Sequence, residues 1–256
     1  MCTASWLIRP SGYELFFNRD ERNERLPAEA PRLSTVGSRT VIAPRDGDAG
    51  GSWIGVNDHG LTLGLLNGWQ DPESVVSEPR SRGLLLLDLL ESADAEELES
   101  RIEALDLSIY RGFHLLALTL TSPSRTGEAV SGFRWNGTEL RFQRPEGPLS
   151  SSSYRGPRGE GAEEIAFERR SQLEELRERH GGLDAYLLEH LHTSHYPKRG
   201  AFSVCMHRED ASTQSSTHIA VEGDRARVRY APGPPCETPF GEALELPLNV
   251  SERALR

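Results

Sequence analysis

The residue best suited to nucleophilic chemistry lies at the start of the chain, where Cys2 follows the initiator methionine. Aminopeptidases remove Met1 when the second residue is small, so we expect a mature chain that begins with Cys2. A thiol and a free α-amine would then share one residue, with unperturbed pKa values of about 8.5 and about 8. The amine can therefore act as base for the thiol. This arrangement predicts an N-terminal nucleophile, although taken alone a cysteine here is more often an arbitrary small residue at a frayed end.

Two predicted strands bring charged groups towards Cys2. The turn signal Ser11-Gly12 separates two short apolar runs, which predicts a β-hairpin. Its second strand returns to the level of Cys2, so Arg19 and Asp20 are expected beside the thiol. A guanidinium there favours the thiolate, and a carboxylate can hold the ammonium or a substrate amine.

A second hairpin is predicted just before Asn67. Ser52–Val56 and Leu61–Leu66 are β-type runs joined by Asn-Asp-His-Gly, a common turn sequence. Asn67 follows the second run, where an asparagine is either a turn former or a side-chain amide donor. The preceding Gly50-Gly51 pair lacks a Gly-Lys-Ser/Thr ending and leads into a strand, which argues against a phosphate-binding loop.

These motifs together resemble the NRDE family, also called the transport-and-Golgi-organisation type 2 family. More distantly, the chain is similar to the choloylglycine hydrolase and penicillin V acylase branch of the N-terminal-nucleophile hydrolases. The motifs that show the resemblance are Cys2, Asn18–Glu21, Gly50–Asn57, Leu65–Asn67, Leu149–Ser153, Val204–His207 and Ser215–Thr217.

The resemblance implies an α+β fold, a four-layer αββα sandwich, in one domain over residues 1–256. Cys2 would be the nucleophile, Arg19 and Asp20 would organise it, and Asn67 would donate its amide to the oxyanion. Serine stands at positions 151 and 152, where the family carries an asparagine-containing element. The implied substrate-binding residues are Asn18, Trp53, Ser151, Ser152, Ser215 and Ser216.

Two functions are compatible with this resemblance. The first is hydrolysis of an amide or related acyl bond of a small molecule, with no cofactor and no metal. The second is a non-catalytic carrier of a hydrophobic ligand such as haem or an acyl lipid, as in haem trafficking. A third idea, a metal site at His190, His192 and His195, needs a fourth ligand, and three surface histidines near a helix end are the commoner situation.

Composition limits the partners and the compartment. A formal net charge of −10 and a pI near 5.4 argue against nucleic acid and against a polybasic membrane surface. No apolar run approaches the roughly 20 residues that span a bilayer, and the first residues lack the pattern of a secretory signal.

The three cysteines, Cys2, Cys205 and Cys236, have no CxxC spacing, which argues against a disulfide framework or structural zinc. We therefore expect a soluble cytoplasmic protein in which Cys236 has a structural role.

Hydrophobic periodicity predicts the remaining elements. Loops are expected at Glu21–Arg39 and Pro145–Arg158. Helices are expected at Glu78–Glu91, Ala93–Leu105, Glu160–His180 and Leu183–His190. Strands are expected at Thr40–Ala43, Phe113–Thr121, Glu128–Trp135, Glu139–Gln143, Gly200–His207, Ser215–Val221 and Ala226–Tyr230.

Overall fold

The strands of the chain form two antiparallel sheets in a computed structural model that describes residues 2–68, 70–71, 73–74, 76–120, 129–151 and 161–249. The strands are Cys2–Arg9 (β1), Gly12–Arg22 (β2), Glu29–Val36 (β3), Arg39–Arg45 (β4), Ile54–Asn57 (β5), Thr62–Asn67 (β6), Phe113–Leu118 (β7), Val130–Trp135 (β8), Leu140–Gln143 (β9), Leu149–Ser151 (β10), Ala211–Glu222 (β11), Arg225–Ala231 (β12) and Leu244–Pro247 (β13). The helices are Arg82–Leu89 (α1), Ala95–Ala104 (α2), Ala162–His180 (α3) and Ala185–Thr193 (α4), with a 3₁₀ turn at Leu107–Ile109.

One sheet has six strands in the order β10-β1-β2-β11-β12-β13, and the other has seven consecutive strands from β3 to β9. The predicted first hairpin is confirmed, with Cys2 opposite Arg19 in the β1–β2 ladder. The second hairpin, β5–β6, is also confirmed, and Asn67 is the last residue of β6. Cys2 therefore lies at the start of the second strand of its sheet, between β2 and the short edge strand β10.

Alternation along the strands produces three apolar cores and hence four layers. In β2, Phe17 faces the core between the two sheets, whereas Phe16 faces a core formed with α3 and α4. On the outer face of the other sheet, α1 and α2 cover Leu63 and Leu115. The predicted α+β, αββα architecture is confirmed. That residues 1–256 form a single domain stays a prediction.

Local signals explain where the helices begin and end. The side chains of Ser81, Asp94 and Asp184 accept hydrogen bonds from the first turns of α1, α2 and α4, as N-cap residues do. Helix α3 ends at His180 and is capped by Gly181, whose φ of 70° is readily adopted by glycine. Among the described residues, none of the helices is both long and apolar enough to cross a bilayer.

Two loop predictions were wrong because short, polar edge strands give little periodic signal. Residues 29–36 form β3, an edge strand whose positions are mostly exposed. Residues 149–151 form β10 at the edge of the other sheet and pair with Cys2–Ala4. Strand β13 was not predicted, since a four-residue segment containing a proline is a weak strand candidate.

The predicted strand at Gly200–His207 was also wrong, since this segment consists of turns and bends with a single bridge from His207 to Ser212. Most of its apolar residues are buried, but most of its carbonyl groups bond to side chains. Arg169 of α3 donates to the carbonyls of Ala201, Phe202 and Ser203. Asn18 donates to the next one, Val204. With these carbonyl groups occupied, the segment is satisfied without a neighbouring strand.

A contact between two glycine backbones joins the start of α1 to the loop before β5. The backbone amide of Ser52 donates to the carbonyl of Gly83 over 3.0 Å. A Cβ at Gly51 would lie 2.4 Å from the carbonyl carbon of Gly83, so a side chain at position 51 would force the two segments apart. This contact forms part of the wall of the cavity described below.

We expect the substitution Gly51→Ala to lower the free energy of unfolding by about 1–3 kcal/mol, the usual cost of overpacking. Chemical denaturation monitored by circular dichroism measures the change. Gly241→Ala is the matched control, since a Cβ there would meet its nearest atom at an ordinary 3.6 Å. Equal stability of the two variants would contradict the role given to the glycine contact.

Candidate active site

Cys2 is held in place by strand pairing on both sides. In the β-ladders it lies opposite Arg19 on one side and Ser151 on the other. Only 8 % of the residue is exposed, and that face opens onto a cavity of about 320 Å³. The backbone position of the nucleophile is therefore set by the sheet.

The cavity wall is rich in charge. Asn67 and Trp53 are among the neutral residues that line it together with Cys2. The charged residues of the wall are Arg19, Asp20, Glu21, Arg25, Asp46, Arg80, Arg82 and Arg111.

Arg19 is fixed from two directions. Its Nη2 donates to Asp46 Oδ2 over 2.6 Å, and its guanidinium lies 4.4 Å from the centre of the Trp53 ring. Arg25 donates to the other oxygen of Asp46, also over 2.6 Å. Burial acts to raise the pKa of Asp46, but the Ala49 amide and the two guanidinium groups hold that pKa below its usual value. Asp46 is thus a carboxylate shared by two cations.

The thiol of Cys2 is not activated by its surroundings in the resting site. Burial raises its pKa, and the Asp20 carboxylate acts in the same direction. The Asp20 backbone amide and Arg19 lower the pKa, but the balance remains upward. Arg19 does lower the pKa of the thiol, as expected, but burial outweighs its effect.

Asp20 lies on the side of β2 that faces α3. Thr213 donates its hydroxyl to Asp20 Oδ1 over 2.7 Å, and Arg169 Nη1 lies 3.6 Å from Asp20 Oδ2. Both side chains of the ion pair are fully buried. Arg169 also donates to the hydroxyl of Thr3, the residue after the nucleophile. One buried cation therefore links Asp20, β1 and the segment 200–205.

Sequence reasoning missed Arg169. It lies within a helix rich in Arg and Glu, where nothing distinguishes it from the neighbouring Arg170. The only available signal was helical spacing, since Arg169 lies four residues after Ile165 and four before Leu173, both buried. That spacing places an arginine on the apolar face of the helix.

Five of the predicted site residues line the cavity, and four do not. The residues that line it are Cys2, Arg19, Asp20, Trp53 and Asn67. Asn67 makes no hydrogen bond through its side chain to the described part of the chain. The predicted substrate-binding residues outside the cavity wall are Asn18, Ser151, Ser215 and Ser216.

Alternation explains why Asn18 is separated from Arg19. The Asn18 side chain points into the layer of α4, where its amide donates to the carbonyls of His192 and Val204 over 2.9 and 3.2 Å. The substrate-binding role predicted for Asn18 is therefore corrected to a structural one. Ser216 lies opposite Asn18 in the neighbouring strand and is equally buried. Ser152 lies outside the described residues.

The three histidines near the end of α4 do not form one cluster. His192 is buried and contacts Ser5 Oγ through Nε2 over 2.8 Å, so the interpretation of a surface histidine was wrong there. Burial lowers the pKa of His192 to about 3, which makes it a neutral packing residue. His190 is exposed, and His195 faces a different set of side chains.

Comparison with known proteins supports a family and a fold. Residues 1–152 match the sequence profile of the family described as Transport and Golgi organisation 2. Two crystal structures of substituted forms of the conjugated bile acid hydrolase from Clostridium perfringens are similar over nearly the whole chain. One has a TM-score of 0.53 at 12% identity and covers 98% of both chains. The other has a TM-score of 0.49 at 12% identity and covers 97% of this chain and 93% of its own. No curated protein sequence gives a significant match.

We expect Arg169→Met to lower the free energy of unfolding by roughly 3–5 kcal/mol, because it leaves the buried Asp20 carboxylate without its cation. Thermal and denaturant unfolding would measure the loss. Arg170→Met is the matched control, since Arg170 is the exposed neighbour in the same helix. A similar, small effect of both substitutions would show that the buried ion pair does not hold this part of the fold together.

Proposed function

The chain belongs to the Transport and Golgi organisation 2 family, and on that premise we propose that it is an N-terminal-nucleophile hydrolase. Its reaction is cleavage of an amide or a related acyl bond in a small molecule. The observation that supports this most strongly is the meeting of Cys2, Asp20, Arg19 and Asn67 at one cavity. The similarity in fold to a hydrolase is consistent with the proposal.

The reaction begins with removal of Met1, which lies outside the described residues, so that Cys2 acquires a free α-amine. The amine takes the thiol proton as Cys2 Sγ attacks the acyl carbon. The tetrahedral intermediate then collapses, the carbon–nitrogen bond breaks, and the ammonium returns the proton to the leaving amine. Water, activated by the same α-amine, hydrolyses the thioester and releases the carboxylic acid. A thiol with a raised pKa is compatible with this sequence, since its proton leaves only during attack.

Each neighbouring residue has a separate role in this proposal. The Asn67 amide donates to the oxyanion, a charge that develops only in the transition state, and one such donor contributes about 3–4 kcal/mol. Asp20 holds the α-ammonium, and its own position is fixed by Arg169 and Thr213. Arg19 keeps Trp53 and the cavity wall in place, because its charge is already engaged by Asp46.

Two arginines of the cavity favour an anionic substrate. Arg82 donates to the carbonyl of Gly112 over 2.6 Å and makes no ion pair with any described residue. It is close enough to Cys2, Glu21 and Arg111 for their charges to affect its pKa, which burial and then Arg111 lower. Among the described residues neither Arg82 nor Arg111 makes an ion pair, and two neighbouring cations of this kind are suited to a carboxylate, sulfonate or phosphate group on the substrate.

The same features disfavour the carrier hypothesis. A haem or acyl-lipid carrier needs a largely apolar pocket, whereas eight of the residues that line this cavity are charged. The similar bacterial structure with a TM-score of 0.53 is named as a conjugated bile acid hydrolase. For this chain we propose the wider class, small anionic amides or acyl compounds, acted on in the cytoplasm.

We expect an acyl-enzyme on Cys2 when purified protein is mixed with activated acyl substrates. Intact-mass spectrometry should show a chain without Met1 that gains the mass of one acyl group. Cys2→Ala should lose both the adduct and turnover.

Asn67→Ala should still react with iodoacetamide at Cys2 but lose about 10²–10³-fold in kcat. An active protein that retains Met1 would sink the mechanism, and tight ligand binding without turnover would favour the carrier.

We expect Arg82→Gln to raise KM for anionic substrates by about 10- to 100-fold, since it removes a charge-assisted hydrogen bond of about 1.5–3 kcal/mol. Steady-state kinetics on an N-acylglycine and its uncharged glycinamide analogue measure the effect. The neutral substrate should be nearly unaffected. Arg80→Gln is the matched control, because Arg80 is already paired with Asp88. Equal losses on both substrates would contradict anion recognition by Arg82.

A further inference from the structure

A second cluster of reactive side chains lies outside the cavity wall. It consists of His195, just after α4; Cys205 and His207 in the segment 200–207; and Cys236, after β12. One potential ligand atom from each residue lies within 4.8 Å of all the others. Four side chains from three separate parts of the chain thus converge on one point.

Two of the separations within the cluster match those around a tetrahedral metal ion, and the others do not exceed 4.8 Å. Cys205 Sγ lies 3.5 Å from His207 Nε2, and His207 Nε2 lies 3.3 Å from Cys236 Sγ. Zinc bonds of about 2.3 Å to sulfur and 2.0–2.1 Å to nitrogen place tetrahedral ligands roughly 3.3–3.8 Å apart. The cluster therefore needs only small adjustments to surround an ion.

His195 provides a further sign that a partner is missing. Its ring packs edge-on to the ring of His207, with centroids 5.1 Å apart. Its Nε2 is buried and makes no hydrogen bond to the described part of the chain. A buried imidazole nitrogen without a partner is costly, and a metal ion would remove that cost.

We propose that His195, Cys205, His207 and Cys236 bind one zinc ion in a structural site. Two thiolates and two imidazoles form the closed Cys₂His₂ set typical of such sites, with no position left for water or substrate. Binding converts both thiols to thiolates and releases two protons to solvent. The sequence concealed the site because its ligands are not arranged in CxxC or HxxxH pairs.

Coordination through His207 Nε2 requires a proton on Nδ1. In the structure Nδ1 lies 3.1 Å from Nη2 of Arg199. Because a guanidinium can only donate, Nδ1 acts as an acceptor there and carries no proton. Arg199 is half exposed and already bonded to Glu237, so it can move away. Glu237 follows the ligand Cys236 and can then accept the Nδ1 proton, the usual outer partner of a metal-bound histidine.

The zinc ion would stabilise the candidate active site without touching it. Between the ligands Cys205 and His207, Met206 exchanges hydrogen bonds with Thr213: its carbonyl accepts from the Thr213 amide over 2.8 Å, and its amide donates to Oγ1 over 2.9 Å. Thr213 in turn donates to Asp20. The site thus anchors the segment that positions Asp20 through Oδ1, whereas Arg169 contacts Oδ2.

Metal binding is tested with full-length protein stripped by a chelator under reducing conditions and titrated with Co²⁺, then with Zn²⁺. We expect one Co²⁺ per chain, with the thiolate charge-transfer band and intense visible bands of a tetrahedral Cys₂His₂ site, and displacement by Zn²⁺. The melting temperature should rise when Zn²⁺ binds. A featureless Co²⁺ titration with folded protein would overturn the proposal.

Variants assign the ligands and separate this site from the proposed catalysis. Cys236→Ser and His207→Gln should weaken Co²⁺ binding by at least about 100-fold, and circular dichroism verifies that each is folded. Both positions are only partly buried, so folding should survive. Cys2→Ser should bind Co²⁺ unchanged, whether or not Cys2 is catalytic. A Co²⁺ spectrum that Cys236→Ser and His207→Gln leave intact would also overturn the proposal.

Discussion

The buried ion pair between Arg169 and Asp20 is the interaction on which the rest of the candidate site depends. Both side chains are fully buried, and isolated charges in such surroundings are strongly disfavoured. Arg169 offsets this by donating to Thr3 and to three consecutive carbonyls as well. The strand that carries the nucleophile, the carboxylate beside it and the irregular segment 200–205 are therefore fixed by one guanidinium. Such a network specifies one arrangement more than it adds stability.

The fold and half of the candidate site residues could be predicted from the sequence, because they follow from features of neighbouring residues such as strand alternation and turn signals. Strand alternation and turn signals placed Cys2 beside Arg19 and Asp20, and the ladder confirms that register. The same alternation explains the error over Asn18, whose side chain points to the opposite face of β2 from Arg19 and bonds to the carbonyls of His192 and Val204. The motif Asn-Arg-Asp-Glu reads as one functional unit, but its members serve two different layers.

What could not be predicted depends on contacts between residues far apart in the chain. Arg169 is separated from Thr3 by 166 residues, and its helix shows no marked difference between positions 169 and 170 in residue type. The segment 200–207 has the composition of a strand, yet side chains from α3 and β2 occupy its carbonyls. The cluster that includes Cys205 and Cys236 likewise has no spacing motif. Propensity and periodicity describe neighbours along the chain, whereas these features arise only when the layers come together.

The ion pair between Arg19 and Asp46 has a mechanical consequence. Arg19 belongs to the six-stranded sheet, and Asp46 immediately follows β4 of the seven-stranded sheet. The core between the two sheets consists mainly of apolar packing, which resists separation but has little directional preference. Within it, the Tyr13 hydroxyl of β2 also donates to the Gly60 carbonyl and hydrogen-bonds with the Thr62 hydroxyl. A short, charged contact at the edge resists shear of one sheet over the other. Any sliding of the sheets would displace the guanidinium from the Trp53 ring and change the shape of the cavity mouth.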